Sequence, residues 1–278
     1  MSSDNLLPDF RQAAKFRKSW SAALPEFQEV LTALRTQIPP PEDDSSKLIN
    51  VSSGKYVFRG NISGWDFAYK TQQGKTPWRY IFRPSLPLRE CMHYEILHKL
   101  DIPIPQILAV GDTRKNFVLK ESFIITGFLD DTADGRIFMP GGKFRTGYEE
   151  LRRAYCVEHL KLLARLHNAG FFHKAAHPRN FLFRGDTPEN LEVFWIDVAR
   201  MRKMRSAKSA VTVDLHVFLR DMLLTKDEVK FLLELYLKHS DLQLYRSADE
   251  LLYDLVHFKR RMFSRKKYRL FSDDQQAL

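Results

Sequence analysis

The apolar positions of this chain change their spacing along its length, and the changes divide it. Over the first 36 or so residues, Phe10, Ala13, Phe16, Trp20, Ala23, Phe27, Val30 and Leu34 recur at steps of three and four. That is the spacing of one helical face, with Pro25 interrupting or starting a helix there. Lys15, Arg17 and Lys18 sit near this face. Two readings stand: a helix docked on the main domain, or one lying on a membrane surface. The polar, proline-rich TQIPPPEDDSSK that follows, Thr36 to Lys47, reads as a linker.

From Leu48 to about Phe128 the period shortens to two. VSSGKYVFRG and WDFAYKTQ alternate and are rich in aromatic or β-branched residues, which predicts strands. LRECMHYEILHKL, Leu88 to Leu100, predicts one helix among them. DIPIPQILAVGD returns to strand, and NFVLKESFIITGF gives a further strand or pair. From Tyr148 the helical period resumes. Leu151, Ala154, Val157, Leu160, Leu163, Ala164 and Leu166 line one face of a long helix, and Gly170 is its stop. FLFRGDTPENLEVFWID holds two short strands around a turn, and from about Val211 the chain is helical again. The expected fold is α+β and two-lobed, in the layout of protein-kinase-like proteins. Residues 1–47 form a helical extension and linker, 48–127 a β-rich lobe with one helix, and 128–278 a mostly helical lobe ending in the basic run FKRRMFSRKKYR.

Composition narrows the setting. Hydrophobic residues at 44% and charged residues at 28% suit a soluble globular protein. No apolar run approaches the ~18 residues needed to span a bilayer. The charged start MSSDNLLPDFRQAAKFRKSW lacks the apolar core of a signal peptide, so secretion is not expected. The only cysteines, Cys91 and Cys156, fall in helix-like stretches, and no disulfide framework is expected. Together these features predict a cytoplasmic protein. A net charge of +10 favours anionic partners: nucleic acid, acidic headgroups or phosphorylated substrates. Nucleic acid is not expected, because aromatic residues are not interleaved with the basic clusters as a single-strand platform requires.

Phosphoryl transfer asks a protein to hold phosphates, place metal ions and orient the acceptor hydroxyl. Lys70, at the end of WDFAYK, stands where a kinase strand lysine reaches the α- and β-phosphates of ATP. Glu90, near the start of the following helix, would be its ion-pair partner. A surface lysine and a helix-face glutamate are the competing reading, and Glu95, on another face, is the competing glutamate. Gly54, Gly60 and Gly64 would let backbone amides approach phosphates, or Gly60 and Gly64 would form an ordinary hairpin turn. His173, Pro178 and Asn180 fit the spacing H-x-x-x-x-P-x-N of a kinase catalytic loop. Asn180 and Asp197, the latter closing VFWID, are the candidate Mg2+ ligands. His167, His173 and His177 lack the flanking cysteine or H-E-x-x-H pattern of a zinc site and read as structural histidines.

On these motifs, over about residues 48 to 225, the chain resembles the lipopolysaccharide core sugar kinases, the Kdo/WaaP group of the protein-kinase-like superfamily. Arg89-Glu90-Cys91, before Leu100 and DIPIPQILAVG, is similar to that family's first-lobe helix and the strand after it. KESFIITGFL is similar to its hinge strand, which implies that backbone groups from Ile125 to Gly127 meet adenine. LHNAGFFHKAAHPRNFLF is similar to its catalytic loop, and IDVAR to its I-D-x-x-R, carrying over to Asp197 and Arg200. TVDL puts Asp214 where the superfamily keeps an aspartate that braces the loop. The resemblance implies ATP- and Mg2+-dependent phosphorylation of a Kdo or heptose hydroxyl at the cytoplasmic face of the inner membrane. The partner implied is a lipopolysaccharide core precursor or another anionic glycolipid. Lys203, Arg205 and Lys208, and the seven basic residues from Lys259 to Arg269, would meet its acidic groups or form a solvated basic face.

One departure matters. Where H-x-D-x-x-x-x-N has its aspartate, this chain has Ala175, and the neighbouring Ala176 is no substitute. The aspartate orients the acceptor hydroxyl and takes its proton, and alanine does neither. A weakened kinase, a nucleotide-binding pseudokinase serving as a scaffold in envelope biosynthesis, an engineered inactive variant, and a chain in which His177 supplies the base are the readings this leaves. An aminoglycoside-like phosphotransferase acting on a free small molecule is the remaining alternative.

Overall fold

The computed structural model describes residues 19–35, 46–52, 55–73, 80–81, 83–139, 148–222 and 224–258. Phe10, Ala13, Phe16, Gly54, most of the expected linker and the basic run from Lys259 lie outside them. By contacts the chain divides into two units, Met1–Ile96 with Ile104–Asp130, and Leu97–Pro103 with Asp131–Leu278.

The first unit is built on an antiparallel sheet. Its elements in chain order are β1 (Trp20–Ala23), α1 (Gln28–Arg35), β2 (Ser46–Ser52), β3 (Lys55–Ile62), β4 (Trp65–Gln73), α2 (Leu86–Lys99), β5 (Ile107–Lys115) and β6 (Val118–Gly127). Among the described residues the strand order is β1-β5-β6-β4-β3-β2. The alternation read over 55–73 does the expected work: Phe58, Phe67 and Tyr69 turn inward and bury, and their neighbours face out. β3 passes to β4 through Ser63 and Gly64, both at positive φ (53° and 81°), the two-residue turn whose twist suits a hairpin.

The N-terminal segment departs from the expected helix. Trp20–Ala23 is a strand, paired antiparallel with β5 from Trp20↔Asp112 to Ala23↔Ala109. Ser19 Oγ fastens it by donating to the Arg114 carbonyl (3.0 Å) and accepting from the Arg114 amide (2.8 Å). The cause is the sheet edge: without β1, the outer backbone groups of β5 would lack ladder partners. Leu24, Phe27, Val30, Leu31 and Leu34 then close over the sheet face, all at most 5% exposed, against Phe58, Phe67, Phe123 and Ile125. This apolar face is spent on the core, so in the described residues it is not a membrane-binding face.

The second unit holds β7 (Ala133–Asp134), α3 (Glu149–Asn168), β8 (Phe171–Phe172), β9 (Phe181–Arg184), β10 (Glu192–Trp195), β11 (Arg202–Lys203), α4 (Ala207–Arg220), α5 (Lys226–His239) and α6 (Ala248–Val256). α3 is its buried axis, and Gly170 at φ 79° stops it as expected. Tyr155 of α3 packs on Phe183 of β9 and Phe218 of α4, and His159 on Phe181 of β9, Trp195 of β10 and Phe218. α5 begins in a Thr225–Glu228 capping box, and Glu228 also pairs with Arg152 of α3 at 2.8 Å. Cys91 and Cys156 are both free and fully buried, and burial pushes both thiols up. No helix among the described residues is long and apolar enough to cross a membrane.

Candidate active site

In the first unit Lys70 lies on β4, between Val57 of β3 and Ile124 of β6. Its Nζ donates to both oxygens of Glu90 on α2, at 3.0 and 2.8 Å. Glu90 is almost fully buried, and it also accepts from Tyr94 Oη at 3.3 Å. A carboxylate placed so deep is tolerated because a cation and a hydroxyl satisfy it. The lysine in return is fixed in direction while remaining a quarter exposed, able to meet a phosphate.

The expected glycine and hinge residues serve the sheet itself. Gly60 lies inside β3 opposite Phe67, and a Cβ there would come within 2.5 Å of the Phe67 ring. Gly64 serves the β3–β4 turn. The absent side chain thus makes room for an aromatic ring at one position and permits a left-handed backbone at the other. Ile125 is fully buried with a strand on each side, Tyr69 and Ala109 opposite it, so its backbone groups are committed to the sheet. The Gly127 amide donates to Gln106 O at 2.8 Å and the Phe128 amide to Asp66 O at 3.1 Å. These bonds take the Ile125 backbone and the Gly127 amide away from the adenine role the hinge resemblance implied.

In the second unit the catalytic-loop residues come together around Asp214. This α4 carboxylate is fully buried, accepting the His173 amide at 2.5 Å and the Lys174 amide at 2.7 Å. His167 Nε2 lies 3.3 Å from it, and Nδ1 of the same ring 2.7 Å from Tyr236 Oη. Lys174 sits at φ 66°, a backbone state a non-glycine residue adopts at some cost, which the bond to Asp214 offsets. His173 itself is buried, with its ring against Phe181 and Trp195.

Beyond it the loop folds onto the carbonyl of Ala175, which accepts the His177 amide (2.7 Å) and the Asn180 side-chain amide (2.8 Å). The latter bond fixes which way the Asn180 carboxamide points. The β9–β10 hairpin then brings the two candidate metal ligands to one end. Phe181 pairs with Trp195, and the Ile196 amide donates to Asn180 O at 2.9 Å, one residue short of Asp197. Asp197 is left-handed (φ 53°, ψ 45°), turning the chain out of the hairpin into the short helical turn Val198–Arg200, with Arg200 exposed. One carboxamide and one carboxylate are hard oxygen donors that suit Mg2+, which completes its shell with phosphate oxygens and water. The donor set therefore fits. No three His, Cys, Asp or Glu side chains among the described residues gather into a metal site of their own.

One residue had no sequence signal. Asp221, just past the end of α4, places Oδ2 3.0 Å from His177 Nδ1. Arg220 holds the same carboxylate through Nε (2.6 Å) and Nη2 (3.0 Å). Burial by itself would raise the Asp221 carboxyl, but the bonds from His177 and Arg220 outweigh it and hold it below the ordinary carboxylate value.

Among solved structures the chain is similar to "WaaP in complex with acyl carrier protein", at 18% identity and a TM-score of 0.58, covering 84% of this chain and 92% of that one. A likeness to a BubR1 kinase domain is slighter, with a TM-score of 0.41 at 20% identity over 59% of this chain and 50% of that one. No curated protein matches by sequence. The model of the lipopolysaccharide kinase (Kdo/WaaP) family matches residues 74–236, more than half of the chain and all of the Asp214-centred loop, and the chain belongs to that family.

Proposed function

We propose that this chain is an ATP- and Mg2+-dependent phosphotransferase acting on a Kdo or heptose hydroxyl of a lipopolysaccharide core precursor, at the cytoplasmic face of the inner membrane. The observation that carries the reading is the hairpin end that sets Asn180 beside Ile196 and Asp197, behind a loop braced by Asp214. In this reading Lys70, held by Glu90, binds phosphate, and Asn180 and Asp197 hold Mg2+, which neutralises charge on the transferring phosphoryl group. The acceptor's acidity has its own support. Arg200, Arg202, Lys203 and Arg205 are exposed and close together in the segment after Asp197. β11, within it, pairs with β8, the strand that leads into the catalytic loop. None of the four has an ion-pair partner among the described residues, whereas Lys208, a little further on, is paired with Asp254. Uncompensated cations beside a phosphoryl-transfer loop suit a carboxylate- or phosphate-bearing acceptor.

Ala175 favours a second reading, a pseudokinase that binds nucleotide and acts as a scaffold in envelope biosynthesis. Two measurements separate these. Calorimetry with ATP and magnesium on the chain, Lys70→Ala and Asp197→Ala is expected to show binding lost in both variants. Transfer of labelled phosphate from ATP to a lipid A precursor bearing Kdo and heptose is expected for the enzyme and not for the scaffold. Absence of magnesium-dependent nucleotide binding would remove both readings.

A further inference from the structure

We infer that His177, held by Asp221, does the work of the aspartate that Ala175 replaces: through Nε2 it accepts the hydrogen bond, and then the proton, of the acceptor hydroxyl. The inference rests on the phosphotransferase reading above.

Four observations converge on this side chain. First, His177 belongs to the same loop as Ala175, and its amide shares the Ala175 carbonyl with the Asn180 side chain, so the loop holds it beside a candidate metal ligand. Second, Nδ1 lies 3.0 Å from the Asp221 carboxylate, which Arg220 also grips through Nε and Nη2. A carboxylate oxygen accepts, so Nδ1 is the ring nitrogen engaged with Asp221 and Nε2 is the one left for another partner. Third, the His177 side chain is 24% exposed, whereas His159, His167 and His173 are fully buried. It is the histidine of this region that a hydroxyl can reach. Fourth, Asp221 stands at the C-terminal end of α4, where the helix dipole disfavours a negative charge. The helix dipole therefore does not account for a carboxylate there; its bonds to His177 and Arg220 do.

The chemistry balances without a further reactant. The acceptor oxygen bonds to the γ-phosphorus as the bond from that phosphorus to the bridging oxygen of ADP breaks. The hydroxyl proton passes to Nε2 and on to solvent. Asp221 touches neither reactant; it is a positioning residue that fixes the ring's direction and tautomer, and Arg220 is the other charged group on the pair.

The test compares the chain with His177→Gln, Asp221→Asn, Ala175→Asp and the double variant Ala175→Asp/His177→Gln. Phosphate transfer to the Kdo- and heptose-bearing lipid A precursor is measured, with ATP–magnesium calorimetry and thermal melting as folding controls. Nitrogen NMR of the histidine rings is read without turnover. His177→Gln is expected to lose ~10²–10⁴ in kcat with ATP affinity kept. Asp221→Asn is expected to lose less, with His177 no longer held as the Nδ1–H tautomer. Ala175→Asp is expected to restore transfer in the His177→Gln background, which a merely structural His177–Asp221 contact would not allow. Three results would overturn the inference: undiminished transfer by His177→Gln, a double variant as inactive as His177→Gln, or a silent parent chain that Ala175→Asp awakens. The last leaves the site reading standing. If neither the parent nor Ala175→Asp transfers phosphate, the phosphotransferase reading itself falls and takes the inference with it.

Discussion

Asp214 shows what one buried carboxylate does for this site. It satisfies two consecutive backbone amides, those of His173 and Lys174, and so holds the chain in the left-handed state at Lys174 from which the rest of the loop departs. Asp214→Ala would leave those donors without their acceptor, at ~1–3 kcal/mol for a buried unsatisfied group. The expected outcome is a loss of that order or somewhat more in urea unfolding, with faster hydrogen exchange at the His173 and Lys174 amides. A variant with unchanged exchange there would show that Asp214 does not hold the loop. In the sequence, Asn180 and Asp197 are singled out by the spacing of loop and hairpin, and Asp214 by the likeness of TVDL to the superfamily's bracing aspartate. Asp221 is not. Its bond to His177 joins residues 44 apart, and it depends on where α4 ends and which way that end points. No local pattern encodes that.

At the scale of elements, the glycines of the β3–β4 hairpin separate a packing role from a ligand role. Gly60→Ala would drive a methyl into the Phe67 ring, which is itself 1% exposed and has little room to yield. Overpacking of this kind costs ~1–3 kcal/mol. Gly64→Ala meets no atoms but must keep φ at 81°, at ~1–2 kcal/mol. Chemical denaturation is expected to show both losses, with Phe67→Leu relieving the first and not the second. If Phe67→Leu brings no relief, the contact is not what selects glycine at 60. Period-two alternation was enough to find these strands, because Phe58, Phe67 and Tyr69 are buried while the residues flanking them are half-buried or exposed. The helical reading of three- and four-residue steps misassigned Trp20–Ala23. A strand followed by a short turn and a helix can reproduce three- and four-residue steps, and the exposed edge of β5 decided the outcome. In α3 the expected face was only partly right: Ala154 and Val157 are half-buried rather than buried. Beyond that face Tyr155, Cys156 and His159 are buried, because strands and helices cover the helix on more than one side.

The whole molecule inherits a pH dependence from that breadth. His159 is at the centre of the second unit, with ring centroids 3.9 Å from Phe181 and 4.1 Å from Phe218. Neither ring nitrogen has a hydrogen-bond partner among the described residues. Burial first, then the neighbouring His173 and His167, push its protonation well below the ordinary value of 6.5. In the unfolded chain the same ring protonates near that value, so below it the unfolded state binds the extra proton. The contribution is full above about pH 6.5 and is lost as the pH falls, by ~1.4 kcal/mol per pH unit. Asp221 acts in a different window. Its folded-state value is depressed below 3.8, so its contribution is present above 3.8 and is lost only as the pH falls further, through that depressed value. Unfolding free energies measured between about pH 6.5 and about pH 5 are therefore expected to decline with the slope of one proton. His159→Leu, which keeps the site apolar and removes the titrating ring, is expected to flatten that decline even if it lowers stability at neutral pH. A slope that survives the substitution would assign the acid sensitivity to other groups and show that the His159 ring finds a way to carry its proton inside the core.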